Sequence, residues 1–398
     1  MRFASRMSKL PPIPTLAMNT KAAEMKAQGV DVISFAAGEP DFDTPEHIKE
    51  GAIQGLRDGA TKYTAVRGIP ALREAISDWA EEHKGLKYDP KSEVIVTVGG
   101  KQSVFNALHV LVEEGDEVVI PAPIWVAYEP VATLTGAKAV LVQTSEENGH
   151  KMTAEQLREV VSERTKIVVI NSPCNPSGCV YSRGELEAIA EVVLSTDAMV
   201  MSDEIYGKIT YDGEEHYSIA GFSDEMKART LVLDGFSKTY AMTGWRLGYT
   251  LARPEIIEAM DTLQGQSTSN ATSFAQYGGV AALRGSHDFL NEWLAQYDAR
   301  RKAIVEGFNS IDGLSVVNPK GAFYAFPRVS GVFGRQGPNG ALKNSMDVGL
   351  YLLENTHCAG VPGAGFGADD YVRFSYATSL ENVKEGIERI RAALGQLG

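Results

Sequence analysis

The stretch Thr-Leu-Val-Leu-Asp-Gly-Phe-Ser-Lys, residues 230–238, contains the pattern that decides the fold. A mostly apolar run ends in Asp234, and Ser237 and Lys238 follow within one short turn. Such a continuous apolar run is typical of a strand that is buried on both faces of a largely parallel sheet. The polar residues after it then lie at the carboxyl end of the strand, where open α/β sheets bind their ligands.

Six further segments have a comparable strand pattern, and helical patterns separate them up to about residue 285. These segments are residues 93–98, 117–121, 138–142, 166–171, 198–202 and 246–250. Strands that alternate with helices predict an α/β layer architecture. We therefore predict a large α/β domain with a mostly parallel central sheet over residues 45–285.

Both ends of the chain differ from this middle part. Prolines at positions 11, 12 and 14 fix an extended backbone, so residues 1–14 are predicted to form an N-terminal arm. After residue 285 the sequence predicts helices at 287–308, 345–356 and 380–396 and a strand pair around 314–326. We expect residues 15–44 to join residues 286–398 in a smaller α+β domain.

Two local features complete this interpretation. Thr44 is predicted to cap a helix that has Pro45 at its first position. The basic run Arg300-Arg301-Lys302 lies on the helix predicted at 287–308 and is interpreted as a solvated face.

Composition limits the classes of function. The formal net charge is −13 over 398 residues, which argues against partners such as nucleic acid or an anionic membrane surface. The three cysteines form no C-x-x-C pair, and no histidine spacing suggests a metal site. A reducing cytoplasm suits so few cysteines, and no apolar run approaches the length of a membrane span. We therefore expect a soluble cytoplasmic protein without a bound metal.

Polar residues follow three of the predicted strands at their carboxyl ends. Asn175 comes after the strand at 166–171, Asp203 and Tyr206 after the strand at 198–202, and Lys238 after the strand at 230–234. These residue types suit pyridoxal phosphate. A lysine amine forms a Schiff base with the cofactor aldehyde, and a carboxylate keeps the pyridine nitrogen protonated. We expect the four side chains to line one crevice.

A phosphate group needs cations and backbone N–H groups. The strand at 93–98 leads into Gly99-Gly100-Lys101 and then an apolar helix, and glycines at a helix N-terminus form an anion cradle. Arg246 follows Lys238 by eight residues and supplies a further cation.

Several motifs in this order resemble the class I aminotransferases of pyridoxal phosphate fold type I. They are Ser237-Lys238-Thr239-Tyr240-Ala241-Met242-Thr243-Gly244-Trp245-Arg246, Asn171-Ser172-Pro173-Cys174-Asn175-Pro176-Ser177-Gly178, Ser202-Asp203-Glu204-Ile205-Tyr206, and Tyr371-Val372-Arg373-Phe374-Ser375-Tyr376-Ala377 after Val361-Pro362-Gly363. The resemblance extends from Gly38-Glu39-Pro40-Asp41-Phe42 to Ala377, and it is strongest to the bacterial aspartate and aspartate/prephenate branch. It implies a homodimer whose active sites are shared between the subunits.

The resemblance implies cofactor roles for the matching positions. Lys238 is the Schiff-base lysine and the general acid/base, Asp203 pairs with the pyridinium, and Tyr206 acts with Asn175 on the ring oxygen. The other implied cofactor contacts are Gly99, Gly100, Lys101, Ser237 and Arg246 around the phosphate, Trp125 stacked on the ring, and Tyr63 reaching the phosphate of the neighbouring subunit.

The resemblance also implies how the substrate binds. Arg373 holds the α-carboxylate beside the backbone of Gly38, because its planar guanidinium matches a carboxylate. Trp125 and Asn175 also contact the substrate, and Lys101 with Thr15 helps to recognise a distal carboxylate. Ile124 and Cys174 depart from the family pattern, which leaves an aromatic or neutral donor open.

The predicted activity is transfer of an amino group from aspartate or glutamate to 2-oxoglutarate or oxaloacetate by a ping-pong mechanism. A lyase or synthase that uses the same cofactor and fold remains an alternative. A non-enzymatic regulator is disfavoured, because the N-terminal arm is too short for an added DNA-binding domain. A nicotinamide dehydrogenase is disfavoured, because no G-x-G-x-x-G follows the first strand.

Overall fold

The computed structural model describes residues 3–10 and 14–398, except for the side chains of 14–17 and 19. Its helices are α1 (Pro14–Ala27), α2 (Glu46–Arg57), α3 (Pro70–Lys84), α4 (Gly100–Leu111), α5 (Tyr128–Thr135), α6 (Ala154–Val160), α7 (Arg183–Leu194), α8 (Asp224–Arg229), α9 (Pro254–Gly265), α10 (Ser273–Arg284), α11 (Asp288–Asn309), α12 (Ser345–Thr356) and α13 (Leu380–Leu394). Within the described residues, no helix is both long and apolar enough to cross a membrane.

The strands are β1 (Ile33–Ser34), β2 (Val94–Thr97), β3 (Glu117–Ala122), β4 (Lys138–Gln143), β5 (Thr165–Asn171), β6 (Met199–Asp203), β7 (Thr230–Gly235), β8 (Gly248–Leu251), β9 (Tyr324–Ala325), β10 (Gln336–Gly337), β11 (Gly340–Ala341), β12 (Cys358–Ala359), β13 (Val361–Pro362) and β14 (Val372–Ser375). Seven of them form the central sheet in the order β2-β8-β7-β6-β5-β3-β4. Strands β7, β6, β5, β3 and β4 run parallel, whereas β8 is antiparallel to both of its neighbours.

The predicted fold class is confirmed, and each of the seven predicted strands of the large domain is present. The largest shift is at β8, which begins at Gly248 rather than at residue 246. Arg246 takes a left-handed conformation with φ of 55°, so the extended backbone starts only after it.

Helices cover both faces of this sheet. On one face, α4 and α9 pack onto the strands through Val104, Leu108 and Ile257. On the other face, α6 and α7 pack through Leu157 and Leu186. Strands β3 and β7 are therefore buried at every residue, as their continuous apolar pattern predicted. The parallel strands direct their carboxyl ends, with the polar residues that follow them, to one edge of the sheet.

The chain after residue 285 builds a second cluster of elements. Its core includes Phe35, Phe308 and Phe374, and the rings of Phe35 and Phe374 lie 5.7 Å apart in an edge-to-face arrangement. Strand β1 pairs with β12 in parallel register, which joins the N-terminal segment to the C-terminal part. This pairing supports the domain division at residues 44 and 286, which stays a prediction.

Three local predictions were wrong. Arg301 is only 1% exposed, because its guanidinium bonds the carboxylates of Asp212 and Asp298 at 2.8 and 2.6 Å. Charges paired in this way can be buried, so Arg300 and Arg301 point into the protein, whereas Lys302 is solvated as predicted, with a side chain 66% exposed. Thr44 does not cap α2, since its hydroxyl donates to the carbonyl of Ala241 at 2.7 Å. The strand pair around 314–326 is reduced to β9 and isolated bridges at Ser315 and Arg328.

Candidate active site

A cavity of about 360 Å³ lies beyond the carboxyl ends of β5, β6 and β7. This volume is within the usual range for a small-molecule site. The lining residues are Ala36, Gly38, Glu39, Gly100, Lys101, Trp125, Val126, Tyr128, Asn171, Asn175, Asp203, Ile205, Tyr206, Ser237, Lys238, Thr243, Arg246, Phe366 and Arg373. Most of the residues predicted for the site therefore share one cavity, although the first and the last of them, Gly38 and Arg373, lie more than 330 positions apart in the sequence.

Lys238 reaches the cavity from the turn after β7. Its Nζ donates a hydrogen bond to the carbonyl oxygen of Gly38, which crosses from the α/β part to the N-terminal segment. Burial lowers the pKa of the Lys238 amine to about 8, and the positive charge of Arg373 adds to the effect. A lysine whose pKa lies this near neutrality can both release and accept a proton under physiological conditions.

Asp203 ends β6 and is 8% exposed. The phenol of Tyr128 donates to Oδ2 of Asp203, and the backbone N–H of Ile205 donates to Oδ1 at 3.2 Å. Burial raises the pKa of Asp203 to about 6, and both of these hydrogen bonds oppose that shift. No cationic side chain of the described residues forms an ion pair with Asp203. The buried carboxylate is thus suited to pair with a cationic group of a bound molecule.

The turn before α4 has the form of an anion cradle. Gly99 has a φ of +75°, and a Cβ atom at this position would lie 2.7 Å from Nη2 of Arg246. A Cβ atom on Gly248 would lie 2.6 Å from the backbone nitrogen of Gly100. Glycines therefore let the guanidinium and strand β8 approach the N-terminus of α4, where unpaired N–H groups favour an anion.

Arg373 enters the same cavity from β14 and is 3% exposed. Its Nη1 donates to Oδ1 of Asn175 and its Nη2 to the carbonyl of Ala36, both at 2.9 Å. The guanidinium also lies over the ring of Tyr324, 4.6 Å from its centroid, while Nε has no hydrogen-bond partner among the described residues. These contacts fix the plane of the guanidinium, as bidentate binding of a carboxylate requires.

Lys101 and Trp125 form a second part of the lining. Nζ of Lys101 lies 5.2 Å from the centroid of the Trp125 ring, which itself packs edge-to-face on Tyr128. Burial lowers the pKa of Lys101, and the charge of Arg246 lowers it further. Among the described residues no carboxylate forms an ion pair with Lys101. The lysine is thus available to an anionic group of a substrate.

Two of the predicted site residues do not line the cavity, and the side chain of a third is not described. Gly99 lies behind the guanidinium of Arg246 and provides the space for it. Tyr63 is 91% exposed and lies outside the cavity. The side chain of Thr15 lies outside the described residues.

The sequence interpretation missed Tyr128 and Asn171. Tyr128 begins α5 three residues after Trp125, and no sequence pattern marked it as a site residue. Asn171 donates to the carbonyl of Asp203 at 3.1 Å, and its Oδ1 accepts from the backbone N–H of Asn175 at 3.0 Å. It therefore positions two predicted residues at once. Ile124 is 5% exposed and is absent from the lining, so its departure from the family pattern does not reach the cavity wall.

Comparison with known proteins places this geometry in a family. Residues 30–390 match the family described as aminotransferase class I and II. The chain belongs to this family. The aspartate aminotransferase of Bacillus sp. (strain YM-2) is 44% identical over 388 residues, which cover 98% of each chain. A probable aspartate/prephenate aminotransferase of Aquifex aeolicus is 44% identical over 99% of each chain.

The fold of this aminotransferase is also that of its solved relatives. The crystal structure of the aspartate aminotransferase from Rhizobium meliloti superimposes with a TM-score of 0.96 at 42% identity and covers all of both chains. The α/β fold type I architecture is confirmed by this match. The chain is therefore a transaminase, and the regulator and dehydrogenase alternatives no longer apply.

Proposed function

We propose that this aminotransferase uses pyridoxal phosphate to transfer the amino group of aspartate or glutamate to 2-oxoglutarate or oxaloacetate in a ping-pong reaction. The observation that carries the proposal is the convergence of Lys238, Asp203 and Arg373 in one cavity of about 360 Å³. A reactive amine, a buried carboxylate and a fixed guanidinium are the three groups that this chemistry requires.

The residues present fit the cofactor at two places. Asp203 is a buried carboxylate without a cationic partner among the described residues, as a protonated ring nitrogen requires. The turn at Gly99 and Gly100, with Arg246 and Ser237 in contact with the same space, suits a phosphate. Asn175, Tyr206 and Trp125 line the region between them and would hold the ring.

The cofactor supplies an electron sink that makes the Cα proton of the bound amino acid acidic. Nζ of Lys238 would accept that proton and return it to the cofactor side. With a pKa of about 8, this amine is matched to both directions of proton transfer near neutral pH. Tyr206 is held by a 2.7 Å hydrogen bond to the hydroxyl of Tyr324, which fixes its phenol beside the lysine.

Two cations are suited to a dicarboxylic substrate. Arg373 would bind the α-carboxylate, with Asn175 and the backbone of Gly38 alongside. Lys101 would bind the distal carboxylate from its place over Trp125, and Thr15 is proposed to assist it. The aspartate aminotransferases of similar sequence support this choice of donor.

We also propose a homodimer with shared sites. Tyr63 is 91% exposed, and Leu56 of α2 and Tyr277 of α10 are exposed by 42% and 41%. An exposed apolar surface of this kind supports an interface between subunits. Tyr63 would then contact the phosphate in the partner's site. Light scattering should give the mass of two chains, and a monomer with full activity would contradict this part.

An absorbance spectrum before and after addition of L-aspartate tests the proposed reaction. We expect a visible band in the cofactor-loaded protein, and we expect aspartate to convert it to a near-ultraviolet band without any acceptor. A visible band that does not respond to aspartate or glutamate would reject the proposed donors. Absence of any band after incubation with pyridoxal phosphate would reject the cofactor and Lys238 together.

Lys101→Ala tests the distal contact. Because one charge-assisted contact is lost, we expect kcat/KM for aspartate to fall about tenfold or more while that for alanine stays nearly constant. Lys87→Ala is the matched control, since Lys87 is an 83% exposed lysine outside the cavity. An unchanged ratio of the two donors in Lys101→Ala would remove the argument for a dicarboxylic substrate.

A further inference from the structure

The sheet carries a second set of buried charges on the side opposite the active site. Glu204 directly follows β6, and Asp234 is the last residue but one of the neighbouring strand β7. The ammonium of Lys84 lies between the two carboxylates. Nζ of Lys84 is 2.6 Å from Oε2 of Glu204 and 2.9 Å from Oδ2 of Asp234. The three side chains are only 6%, 1% and 11% exposed. These charges line a separate cavity of about 500 Å³.

The alternation of side chains along a strand explains the two sides. Asp203 faces the active-site cavity, whereas Ser202 and Glu204 face the opposite way and bond each other at 2.9 Å. Oε1 of Glu204 also accepts from the hydroxyl of Ser218 at 2.6 Å, and Oε2 accepts from Nε2 of His216 at 3.0 Å. Glu204 thus has all its acceptor positions occupied and cannot move without breaking several bonds.

Asp234 is also held by hydrogen bonds to both of its carboxylate oxygens. Its Oδ1 accepts the backbone N–H of Gly235 at 2.7 Å, and its Oδ2 accepts the phenol of Tyr249 at 3.2 Å. Gly235 begins the turn that leads to Lys238. The ammonium of Lys84 therefore joins, from behind, the two strand ends that carry Asp203 and Lys238.

We propose that Lys84 is a positioning residue of the transamination site: it links the ends of β6 and β7 and balances the buried charges of Glu204 and Asp234 behind Asp203. This inference rests on the proposed function, because it assigns to Asp203 the task of pairing with the cofactor ring. Lys84 is not among the residues that line the active-site cavity, so its proposed effect is exerted through Asp203.

The electrostatic consequence has a definite sign. Negative charge on Asp234 and Glu204 raises the pKa of Asp203, after the larger effect of burial. The titratable groups around Asp203 are Tyr128 from α5, Tyr206 after β6 and Lys238 after β7, with the charges of Asp234 and Glu204 on the opposite side of the sheet. Lys84 contacts both of those carboxylates, and His216 contacts Glu204. Removal of the Lys84 charge leaves Asp234 without an ion-pair partner among the described residues and leaves Glu204 with His216 alone, so Asp203 would hold a proton at higher pH. A protonated Asp203 no longer offers a full negative charge to the ring nitrogen.

The test measures binding of pyridoxal phosphate to the apoprotein by fluorescence across pH 4.5–8. In Lys84→Met we expect the acid-side midpoint of binding to move up by about half a pH unit or more. In Lys84→Met/Asp234→Asn the net charge of the cluster formed by residues 84, 204 and 234 returns to that of the wild type, so the midpoint should return toward the wild-type value. Lys87→Met should not shift it, since that lysine is 83% exposed.

Two outcomes would overturn the inference: an unchanged midpoint in Lys84→Met, or equal shifts in the single and double variants, which a merely structural role would produce. If Lys84→Met does not fold, Asp234→Asn decides alone, because loss of one negative charge must move the midpoint to lower pH. Failure of the wild-type protein to bind the cofactor would instead reject the proposed function, so the two failures are distinguishable.

Discussion

The two sides of the central sheet use buried charge in opposite ways. On the active-site side, Asp203 is buried and Lys101 lines the cavity, and neither has an ion-pair partner among the described residues. Loss of solvent around each group shifts its pKa in the direction that favours the neutral form: upward for Asp203 and downward for Lys101. On the opposite side, the Lys84 and His216 charges hold the pKa of Glu204 well below its usual range, although burial alone would raise it. Unpaired charges cost free energy unless a ligand pairs them, whereas paired charges stabilise a geometry. We therefore infer that the side with Asp203 and Lys101 binds the ligand, and that the side with Lys84, Glu204 and His216, called the supporting side below, holds the geometry of the strand ends.

The largest effect should follow from loss of the amine on the active-site side. Lys238→Ala removes the group that we propose to move the Cα proton, so kcat should fall at least about a thousandfold. Cofactor absorbance measures the loss of the Schiff base with Lys238, and a stopped assay with aspartate measures the loss of kcat. Lys208→Ala is a suitable control, because this lysine lines the cavity on the opposite side. Comparable losses in both variants would show that the two sides do not differ as argued.

Arg373→Lys should have the next largest effect. Lysine keeps the charge but loses the planar pair of donors, and a desolvated charge pair of this type contributes about 2–5 kcal/mol. We expect kcat/KM for aspartate to fall about a hundredfold, with the visible band of the cofactor retained. A steady-state assay over several donors measures this loss. If only neutral donors were affected and aspartate were not, Arg373 would not be the α-carboxylate ligand.

Sequence patterns predicted the active-site side far better than the supporting side. Apolar strands followed by Asn175, Asp203 and Lys238 can be recognised because parallel strands must bring their carboxyl ends together. Lys84 offers no such signal. It lies in the polar end of α3, beside His83 and Gly85, where a lysine is usually solvated or interacts with the helix C-terminus.

Arg301 shows the same limit more directly. Its helix has a basic run that predicts a solvated face. Asp298, one of the two carboxylates that allow its burial, lies three positions earlier on the same helix, but the other, Asp212, lies 89 positions away. Periodicity describes which residues share a face, but it does not identify distant partners that compensate a charge. The burial of Arg301 therefore depends on a contact with Asp212 that only the tertiary structure shows.

Tyr128→Phe tests how far the active-site side depends on local support. The variant removes the phenol that donates to Oδ2 of Asp203, and this hydrogen bond lowers the pKa of the carboxyl. Its loss should raise that pKa further, so cofactor binding should weaken at higher pH than in the wild type. A hydrogen bond to a charged group contributes about 1.5–3 kcal/mol, which corresponds to a roughly tenfold or larger increase in the dissociation constant. Fluorescence titration of the apoprotein measures the dissociation constant of the cofactor. An unchanged dissociation constant from pH 5 to 8 would contradict the role of Tyr128.

Ser218→Ala should have the smallest effect and should alter stability rather than activity. The hydroxyl of Ser218 donates to Oε1 of Glu204 at 2.6 Å, and Ser202 continues to bond the same oxygen after the change. We expect the free energy of unfolding to fall by about 1.5 kcal/mol while kcat/KM for aspartate stays constant. Ser92→Ala removes a hydrogen bond of equal length to Asp89 at the surface and should alter stability by less than about 0.5 kcal/mol. Denaturant unfolding of both variants gives the comparison. A loss of activity in Ser218→Ala without a loss of stability would mean that the supporting side reaches the chemistry through Glu204 itself, and not only through the charge of Lys84.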